Sequence, residues 1–540
     1  MRQRQHYKMI ARLLLTSIVV LGMAACANRG AGPERADLLV IAAMREPTSL
    51  NPLYLQGSDA EDVSTLGYSF LTTYDARNRI ITDAASTVPT VENGGISRDG
   101  KEIVFHLRRN VLWQDGDRLT ARDVVFTYRA IMNPSNAVTT RSGYDRIARV
   151  WAPEPYTVVV ELAQPYAPMV TAFFGGESSY PILPAHLLAG YASLNRVSFN
   201  GAPIGSGPYR FTKWVRGERL DLAANDRYYG TKPVIRHLSL RFIHDPSTVV
   251  NELTTREVDA TFDDPIPSTV PDLRSLPNHR VIVTMLPNFG AILFNMSDPI
   301  MRDLAIRRAL ASAIDRRMLV AKATFGLYDA DTGMRGMFTW AFDPSAGSIA
   351  YDPSGARTFL ARDGWVPSDD GVRVKGGRRL EIQLIFSTQY SIANEIVPLL
   401  IDQARAVGID LVTRAYDRSE LFALDGPLNR GTFQAALMGF GSAVDPDPSS
   451  WISCDQRAPK GTNFSRYCSA AVDRALQRAT AVYDRAKRRR IYGFIQRRLL
   501  EDVPYAFLWQ SPEVDVIPSG LHGFEPSLVS PYNSVAHWRL

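Results

Sequence analysis

The sequence predicts a mixed α/β or α+β protein with more than one lobe. Its 540 residues, 45% of them hydrophobic, supply far more apolar surface than one small core needs. Segments typical of strands and segments with helical periodicity occur together along the chain. Charged residues make up 21% of the chain, and Gly and Pro are spread along it, so the composition is that of a globular protein.

Local patterns predict the individual elements. Apolar or alternating side chains predict strands at residues 38–41, 102–107, 157–162 and 280–284. One long helix is predicted over residues 302–324, with Asp315 in its C-terminal part and paired with a nearby Arg. Residues 469–500 predict two more helices. Thr120, with Asp123 at the third helical position, predicts a helix N-terminus.

The N-terminus has the pattern of an export signal. A basic head precedes an apolar run that is too short to span a membrane as a mature helix, which needs ~20 apolar residues. The small residues Ala24 and Ala25 directly precede Cys26, which resembles a lipobox, where the Cys thiol receives a lipid. We therefore expect residues 1–25 to be a signal peptide and residues 26–37 a lipid-anchored tether. An ordinary secretory signal with an incidental Cys is the alternative.

The three cysteines predict one disulfide. If Cys26 carries a lipid, Cys454 and Cys468 remain as a pair in an oxidising compartment. The polar loop between them can fold back on itself, and closing it would add roughly 3 kcal/mol of stability. Two free thiols or a metal site are the alternatives, but no His lies near either Cys. No metal site is therefore predicted.

Charge and motifs support neither nucleic-acid binding nor catalysis. The formal net charge is +6, but four basic residues lie in the first dozen positions, so the exported chain carries about +2. The eight His residues are scattered, and none forms an HExxH pair. The sequence contains no Walker loop, Rossmann fingerprint or nucleophile elbow. We therefore predict that the protein is not an enzyme and uses no cofactor.

Several separated segments resemble the extracellular solute-binding proteins of family 5. Trp113-Gln114-Asp115-Gly116 and the following residues 119–127 match a signature of that family closely. Another similar segment precedes it at residues 46–52, and further ones follow in the family's order at residues 204–209, 245–248, 257–260, 306–310, 313–316 and 463–467. In the segment 46–52, Asn51 replaces the usual acidic residue. Each segment alone also has an ordinary scaffold role, such as a turn or a helix cap, but the preserved order over residues 38–530 is specific.

The resemblance implies a two-lobed periplasmic-binding-protein fold with a hinge and an extra domain on lobe one. Lobe one would be discontinuous, the extra domain would lie near residues 81–199, and lobe two near residues 288–504. The parts of lobe one would be residues 38–80, 200–287 and 505–540. The hinge would be formed by the crossings at residues 286–296 and 503–509. Closure of the lobes would bury the ligand.

The same resemblance implies the peptide-binding component of an ABC importer, lipid-anchored on the outer face of the cell membrane. It would be a monomer that delivers a peptide or peptide-like solute to a membrane permease. A non-peptide solute, such as a metal chelate, an oligosaccharide or an opine-like compound, is the alternative within that class. A periplasmic hydrolase or ligase with a cryptic site, an envelope chaperone and a chemosensory receptor are the alternatives from other classes.

Candidate ligand-binding residues also come from the resemblance, which places certain loops at the cleft. Aromatic and Met side chains suit a permissive pocket, because they give contact area without strict hydrogen-bond geometry. As individuals, such residues are more often core than ligand wall. The candidates are Thr48, Tyr68, Phe289, Met334, Met337, Phe338, Trp340, Phe440, Gly441 and Trp451.

Asp445 is the candidate for recognition of a ligand amine. Peptide-binding members of the family carry an Asp for that amine in a segment that resembles residues 439–448. When the segments are aligned on the final Asp-Pro, the amine-binding position falls on Val444, and Asp445 lies one residue late. A buried amine without an anion is costly, so either Asp445 substitutes or the ligand has no free amine. Turn formation beside proline is the simpler role for Asp445 and Asp447.

Overall fold

The computed structural model describes residues 37–55, 58–177, 180–262, 267–330 and 334–540, with the side chains of residues 58–62 left out. The predicted signal peptide, most of the predicted tether and Cys26 lie outside the described residues. The described chain forms a mixed helix and sheet structure with two lobes, each built on its own sheet.

The elements are numbered in chain order. The strands are β1 (Leu38–Ala43), β2 (Thr72–Tyr74), β3 (Ile80–Thr82), β4 (Glu102–His106), β5 (Ile147–Glu154), β6 (Thr157–Leu162), β7 (Tyr209–Val215), β8 (Arg219–Ala224), β9 (His237–Phe242), β10 (Ala260–Thr261), β11 (His279–Met285), β12 (Asn288–Phe294), β13 (Val366–Pro367), β14 (Arg373–Lys375), β15 (Arg378–Arg379), β16 (Glu381–Ser387), β17 (Asp410–Tyr416), β18 (Ala435–Gly441), β19 (Tyr505–Trp509) and β20 (Pro512–Pro518). The helices are α1 (Ser58–Gly67), α2 (Ala121–Met132), α3 (Met169–Ala172), α4 (Ala185–Leu188), α5 (Pro246–Thr255), α6 (Val270–Ser275), α7 (Leu304–Ala313), α8 (Arg316–Ala323), α9 (Arg335–Phe338), α10 (Pro353–Arg362), α11 (Ala393–Arg405), α12 (Arg418–Phe422), α13 (Pro427–Arg430), α14 (Ser449–Ile452), α15 (Ala470–Ala481) and α16 (Arg485–Asp502).

Lobe one is built on a seven-stranded sheet in the order β11-β20-β10-β1-β9-β8-β7. Strand β1 lies in its interior and pairs in parallel with β9 and β10. Its sequence LLVIAA is wholly apolar, as expected of a strand covered on both faces. Leu39 and Ile41 are buried in the lobe-one core together with Trp538 near the C-terminus. The C-terminal residues therefore return to the lobe in which the described chain begins.

Lobe two is built on a five-stranded sheet in the order β17-β16-β18-β12-β19. Strand β16 pairs in parallel with β17 and β18, and β12 pairs antiparallel with β18 and β19. The buried side chains of this sheet are divided between two separate hydrophobic clusters. Helices α7, α10 and α11 contribute to one cluster, and α15 and α16 to the other. The sheet is therefore a central layer, and its strands are correspondingly apolar.

A third sheet, β4-β6-β5, has a core of its own. Helix α2 packs beside it, and its N-terminus is capped as predicted, because the backbone N–H of Thr120 donates to Asp123 at 2.7 Å. We refer to this sheet and the side chains packed around it, between residues 84 and 199, as the third unit. The predicted limits of the extra domain, 81–199, remain a prediction.

Two short crossings join the sheets of the two lobes. Two residues connect strand β11 of the seven-stranded sheet to β12 of the five-stranded sheet. Two residues also connect β19 of the five-stranded sheet back to β20 of the seven-stranded sheet. The side-chain N–H of Gln510 donates to the carbonyl of Leu286 at 2.6 Å, which ties the crossings together. The prediction assigned residues 505–509 to lobe one, but they form β19 of the lobe-two sheet. The second crossing therefore lies later, at residues 510–511.

Most predicted elements are present, but the prediction of one long helix is wrong. The four predicted strands correspond to β1, β4, β6 and β11, and residues 469–500 form α15 and most of α16. The single helix predicted over residues 302–324 is instead two helices, α7 and α8, because Ile314 is extended. Asp315 caps α8, accepting from the N–H of Met318 at 3.0 Å, so it starts a helix instead of lying within one.

Candidate ligand site between the lobes

Among the cavities bordered by described residues, two lie between lobe two and the rest of the molecule. The larger, about 700 Å³, is bordered by residues 88–100 of the third unit and by residues 481–488, which run from the end of α15 into the first turn of α16. Tyr74, Trp340 and Asp445 also lie in its wall. The smaller, about 240 Å³, lies beside the first crossing and is lined by residues from both lobes and the third unit, including Glu177, Gly441 and Glu513. Both cavities therefore change shape if the lobes move apart.

The loop between β18 and α14, residues 442–448, lines both cavities and contacts the third unit directly. The backbone N–H of Asp445 donates to Glu177 Oε1 at 2.7 Å, and the hydroxyl of Tyr166 donates to Asp447 Oδ2 at 2.9 Å. Val444 is buried in a small cluster with Tyr74 and Val529. Since these contacts join different lobes, opening of the cleft must break them.

Asp445 is held within lobe two by a buried ion pair. Arg488, on α16, places Nη2 at 2.7 Å from Asp445 Oδ1 and Nη1 at 3.0 Å from Oδ2. Arg488 is 2% exposed, and its helix buries it on the same face as Tyr492. Burial is the largest single influence and lowers the pKa of Arg488, but Asp445 and Tyr492 together raise it by more, so the pKa lies above its ordinary value. The charge of Asp445 is thus already compensated inside the lobe.

Glu177 faces the same loop from the third unit. Its Oε2 accepts from the hydroxyl of Thr171 at 3.2 Å, and the hydroxyl of Tyr74 is a further hydrogen-bond partner. Burial and the nearby carboxylate of Asp445 raise the pKa of Glu177 to about 7. This carboxyl group therefore titrates near neutral pH.

The predicted aromatic and Met candidates mostly come together in the lobe-two core. Phe289 stacks on Phe440 with ring centroids 4.8 Å apart, and the Trp451 ring meets Phe289 edge-on at 5.7 Å. None of the six members of this group lines either cavity, so their predicted ligand contact stays a prediction. The group consists of Phe289, Met334, Met337, Phe338, Phe440 and Trp451.

The remaining candidates lie in the two cavities, in the core of the third unit and on the surface. Trp340 and Asp445 line the larger cavity, and Gly441 lines the smaller one. The guanidinium of Arg485 lies over the Trp340 ring at 4.2 Å. Tyr68 is buried in the third-unit core, where its hydroxyl donates to the Leu50 carbonyl at 2.7 Å, and the exposed Thr48 lines neither cavity.

Sequence reasoning missed Glu177 and Arg488. Arg488 lies in the basic run 487–490, which is typical of a solvated helix face. Its spacing from the buried Tyr492 and Ile495, four and seven residues further on, was the available signal that it shares their face. No comparable signal marks Glu177, which stands outside any helix or strand.

A disulfide joins Cys454 and Cys468, the predicted pair, with Cα atoms 4.5 Å apart. In the part of the chain that the structure describes, no group of three or more His, Cys, Asp or Glu residues is arranged to hold a metal ion. No helix among these residues is both long enough and apolar enough to cross a membrane.

Two lobes joined by short crossings around interlobe cavities define a protein of the two-lobed periplasmic-binding class. Solved structures share this fold: NikZ from Campylobacter jejuni in complex with Ni(L-His) is 27% identical, with a TM-score of 0.77, over 94% of this chain and 100% of that chain. The oligopeptide-binding protein AppA from Bacillus subtilis, in complex with a nonapeptide, has a TM-score of 0.72 over 94% of this chain and 100% of that chain.

The chain belongs to the bacterial extracellular solute-binding proteins, family 5, whose middle-region model matches residues 88–460. In sequence it is 26% identical to AppA of Bacillus subtilis over 95% of this chain and 96% of that protein. It is 23% identical to the di/tripeptide-binding protein 1 of Pseudomonas aeruginosa over 92% of this chain and 93% of that protein. The family resemblance read from the motifs is confirmed.

Proposed function

We propose that the protein is the substrate-binding component of an ABC importer that captures a peptide or peptide-like solute between its lobes. The observation that carries this is the pair of cavities whose walls combine residues of both lobes and of the third unit. The two crossings give the lobes a narrow connection, and closure around a ligand would bury it. The closed form would then be recognised by the membrane permease.

A peptide is the favoured ligand because AppA and the Pseudomonas relative are named for oligopeptides and for di- and tripeptides. The larger cavity, about 700 Å³, lies within the usual range of small-ligand sites, roughly 300–1,000 Å³. A metal chelate is the second candidate, favoured by the likeness to NikZ, which was solved with Ni(L-His).

Export, anchoring and assembly complete the proposal. The basic head, the apolar run and Cys26 support a lipid-modified N-terminus on the outer face of the cell membrane. We infer that the protein works as a monomer, binds its ligand without consuming it and needs no cofactor.

Mass spectrometry of protein purified from the membrane fraction tests both the nature of the ligand and the lipid anchor. The small molecules released on denaturation should be peptides, and the intact chain should begin at Cys26 with the mass of an acyl group added. A Cys26→Ser variant should be found in the soluble fraction. Release of a metal–amino acid chelate would favour the second candidate, and a Cys26→Ser variant that stays membrane-bound would contradict the lipid anchor.

A further inference from the structure

Among the residues that the structure describes, Glu177 has no counter-ion in the cleft. Its contacts are the backbone N–H of Asp445 and the hydroxyls of Thr171 and Tyr74, all of them uncharged donors. Within the ranges that the structure describes, no Lys, Arg or His forms an ion pair with it. A carboxylate offers about four acceptor positions, so one remains for a further donor.

Asp445 is in the opposite situation. Arg488 already contacts both of its carboxylate oxygens, at 2.7 and 3.0 Å, and both side chains are buried. A ligand ammonium could form an ion pair with Asp445 only by displacing Arg488, which would then be left as a buried, unpaired charge. The aspartate that the sequence offered for amine recognition is therefore committed to its own lobe.

The cavity beside the first crossing has an acidic wall. Its charged lining residues are Glu177, from the third unit, and Glu513, from β20. No basic side chain lines it, among the residues that the structure describes. The rest of the wall includes the loop 442–444 and the crossing residues 286–287, so the cavity forms only when the lobes are together. A cationic group would be the complementary occupant.

We propose that Glu177 binds the positively charged group of the ligand, its α-ammonium in the case of a peptide, inside the cavity beside the first crossing. This inference rests on the proposed function. Asp445 is then a positioning residue: Arg488 fixes its loop, and its backbone N–H orients the Glu177 carboxylate. The ligand would be anchored from the third unit, and lobe two would close over it.

The titration of Glu177 agrees with this role. Its pKa of about 7 means that the protonated and the ionised form are both populated near neutral pH. The charged or titratable neighbours are Asp445, Tyr74 and Glu513, with Arg485 and Arg488 beyond Asp445. An ammonium beside Glu177 would lower its pKa, so binding would release protons near pH 7, and affinity would rise between pH 6 and pH 7.5.

The test uses two random tripeptide libraries, one with free and one with acetylated N-termini. Ligand-stripped protein is incubated with each, and the bound peptide is quantified by mass spectrometry after gel filtration. Wild type should retain the free library at least tenfold better, and Glu177→Gln should lose that preference. Glu161→Gln, on an exposed part of β6, is the matched control and should behave as wild type. The double variant Asp445→Asn/Arg488→Gln should keep the preference, whatever its overall affinity.

Each alternative outcome has a separate meaning. Equal binding of both libraries by wild type would leave the proposed function intact and overturn the role of Glu177. If the preference for free N-termini survives in Glu177→Gln but is lost in the double variant, Asp445 would be the residue that binds the ammonium. Binding of neither library would contradict the peptide-binding function itself, and this inference with it. Calorimetry of wild type in two buffers of different ionisation enthalpy gives a readout that needs no variant, and absence of proton release would count against the proposal.

Discussion

At the scale of single residues, the sequence identified the important loop but not the partners of its side chains. It placed Asp445 near the family's amine-binding position and left open whether Asp445 binds an amine or only forms a turn. The structure pairs Asp445 with Arg488, 43 residues later in the chain. Such a pair depends on how α16 packs against the loop, and no local pattern contains that information. Asp447 does serve the turn, since its Oδ1 accepts from the N–H of Ser449 at 3.1 Å.

The ion pair makes a prediction about stability. Arg488→Met should lower the free energy of unfolding by about 3–5 kcal/mol, because it leaves the Asp445 carboxylate buried without a partner. The double variant Asp445→Asn/Arg488→Gln should lose clearly less, since neither charge is then left unpaired. Urea unfolding followed by circular dichroism measures both.

A surface pair provides the control for this comparison. Arg149 and Glu161 are both largely exposed, and Arg149→Gln should change the free energy of unfolding by at most about 1 kcal/mol. If the double variant were as unstable as Arg488→Met, the ion pair would not account for the loss.

At the scale of elements, hydrophobic periodicity predicted strands correctly, but it missed a helix break across which the apolar spacing continues. The alternation at residues 157–162 matches β6 at both ends. Between α7 and α8 the apolar spacing continues across the break, so the sequence looked like one helix. The capping role of Asp315 was the signal for two helices, and it is ambiguous in an arginine-rich segment. The second crossing was misplaced because β19 is apolar throughout and does not show to which sheet it belongs.

The disulfide makes a prediction for one element, the loop between α14 and α15. The two cysteines are 14 positions apart, so opening the bond should lower the free energy of unfolding by roughly 3 kcal/mol, chiefly by releasing the unfolded chain. The double variant Cys454→Ser/Cys468→Ser, compared with wild type with and without reductant, measures this. The variant should be insensitive to reductant. An unfolding midpoint of wild type that reductant leaves unchanged would show that the bond contributes nothing.

At the scale of the whole molecule, the order of the motifs predicted the family and the two-lobed fold, and both are confirmed. The site was predicted less well. Most of the aromatic candidates pack into the lobe-two core, whereas the contacts between the lobes involve Glu177, Tyr166 and the loop 442–448. Those contacts exist only when the lobes meet, so they depend on a relative position that the sequence pattern does not encode.

The central claim is that the two lobes close around the ligand about the crossings at residues 286–287 and 510–511. Small-angle X-ray scattering of ligand-stripped protein, before and after addition of the compound recovered from the native protein, tests it most directly. The account predicts that the radius of gyration falls on binding and that the change saturates at one ligand per chain. A radius of gyration that stays the same at saturating ligand would contradict closure.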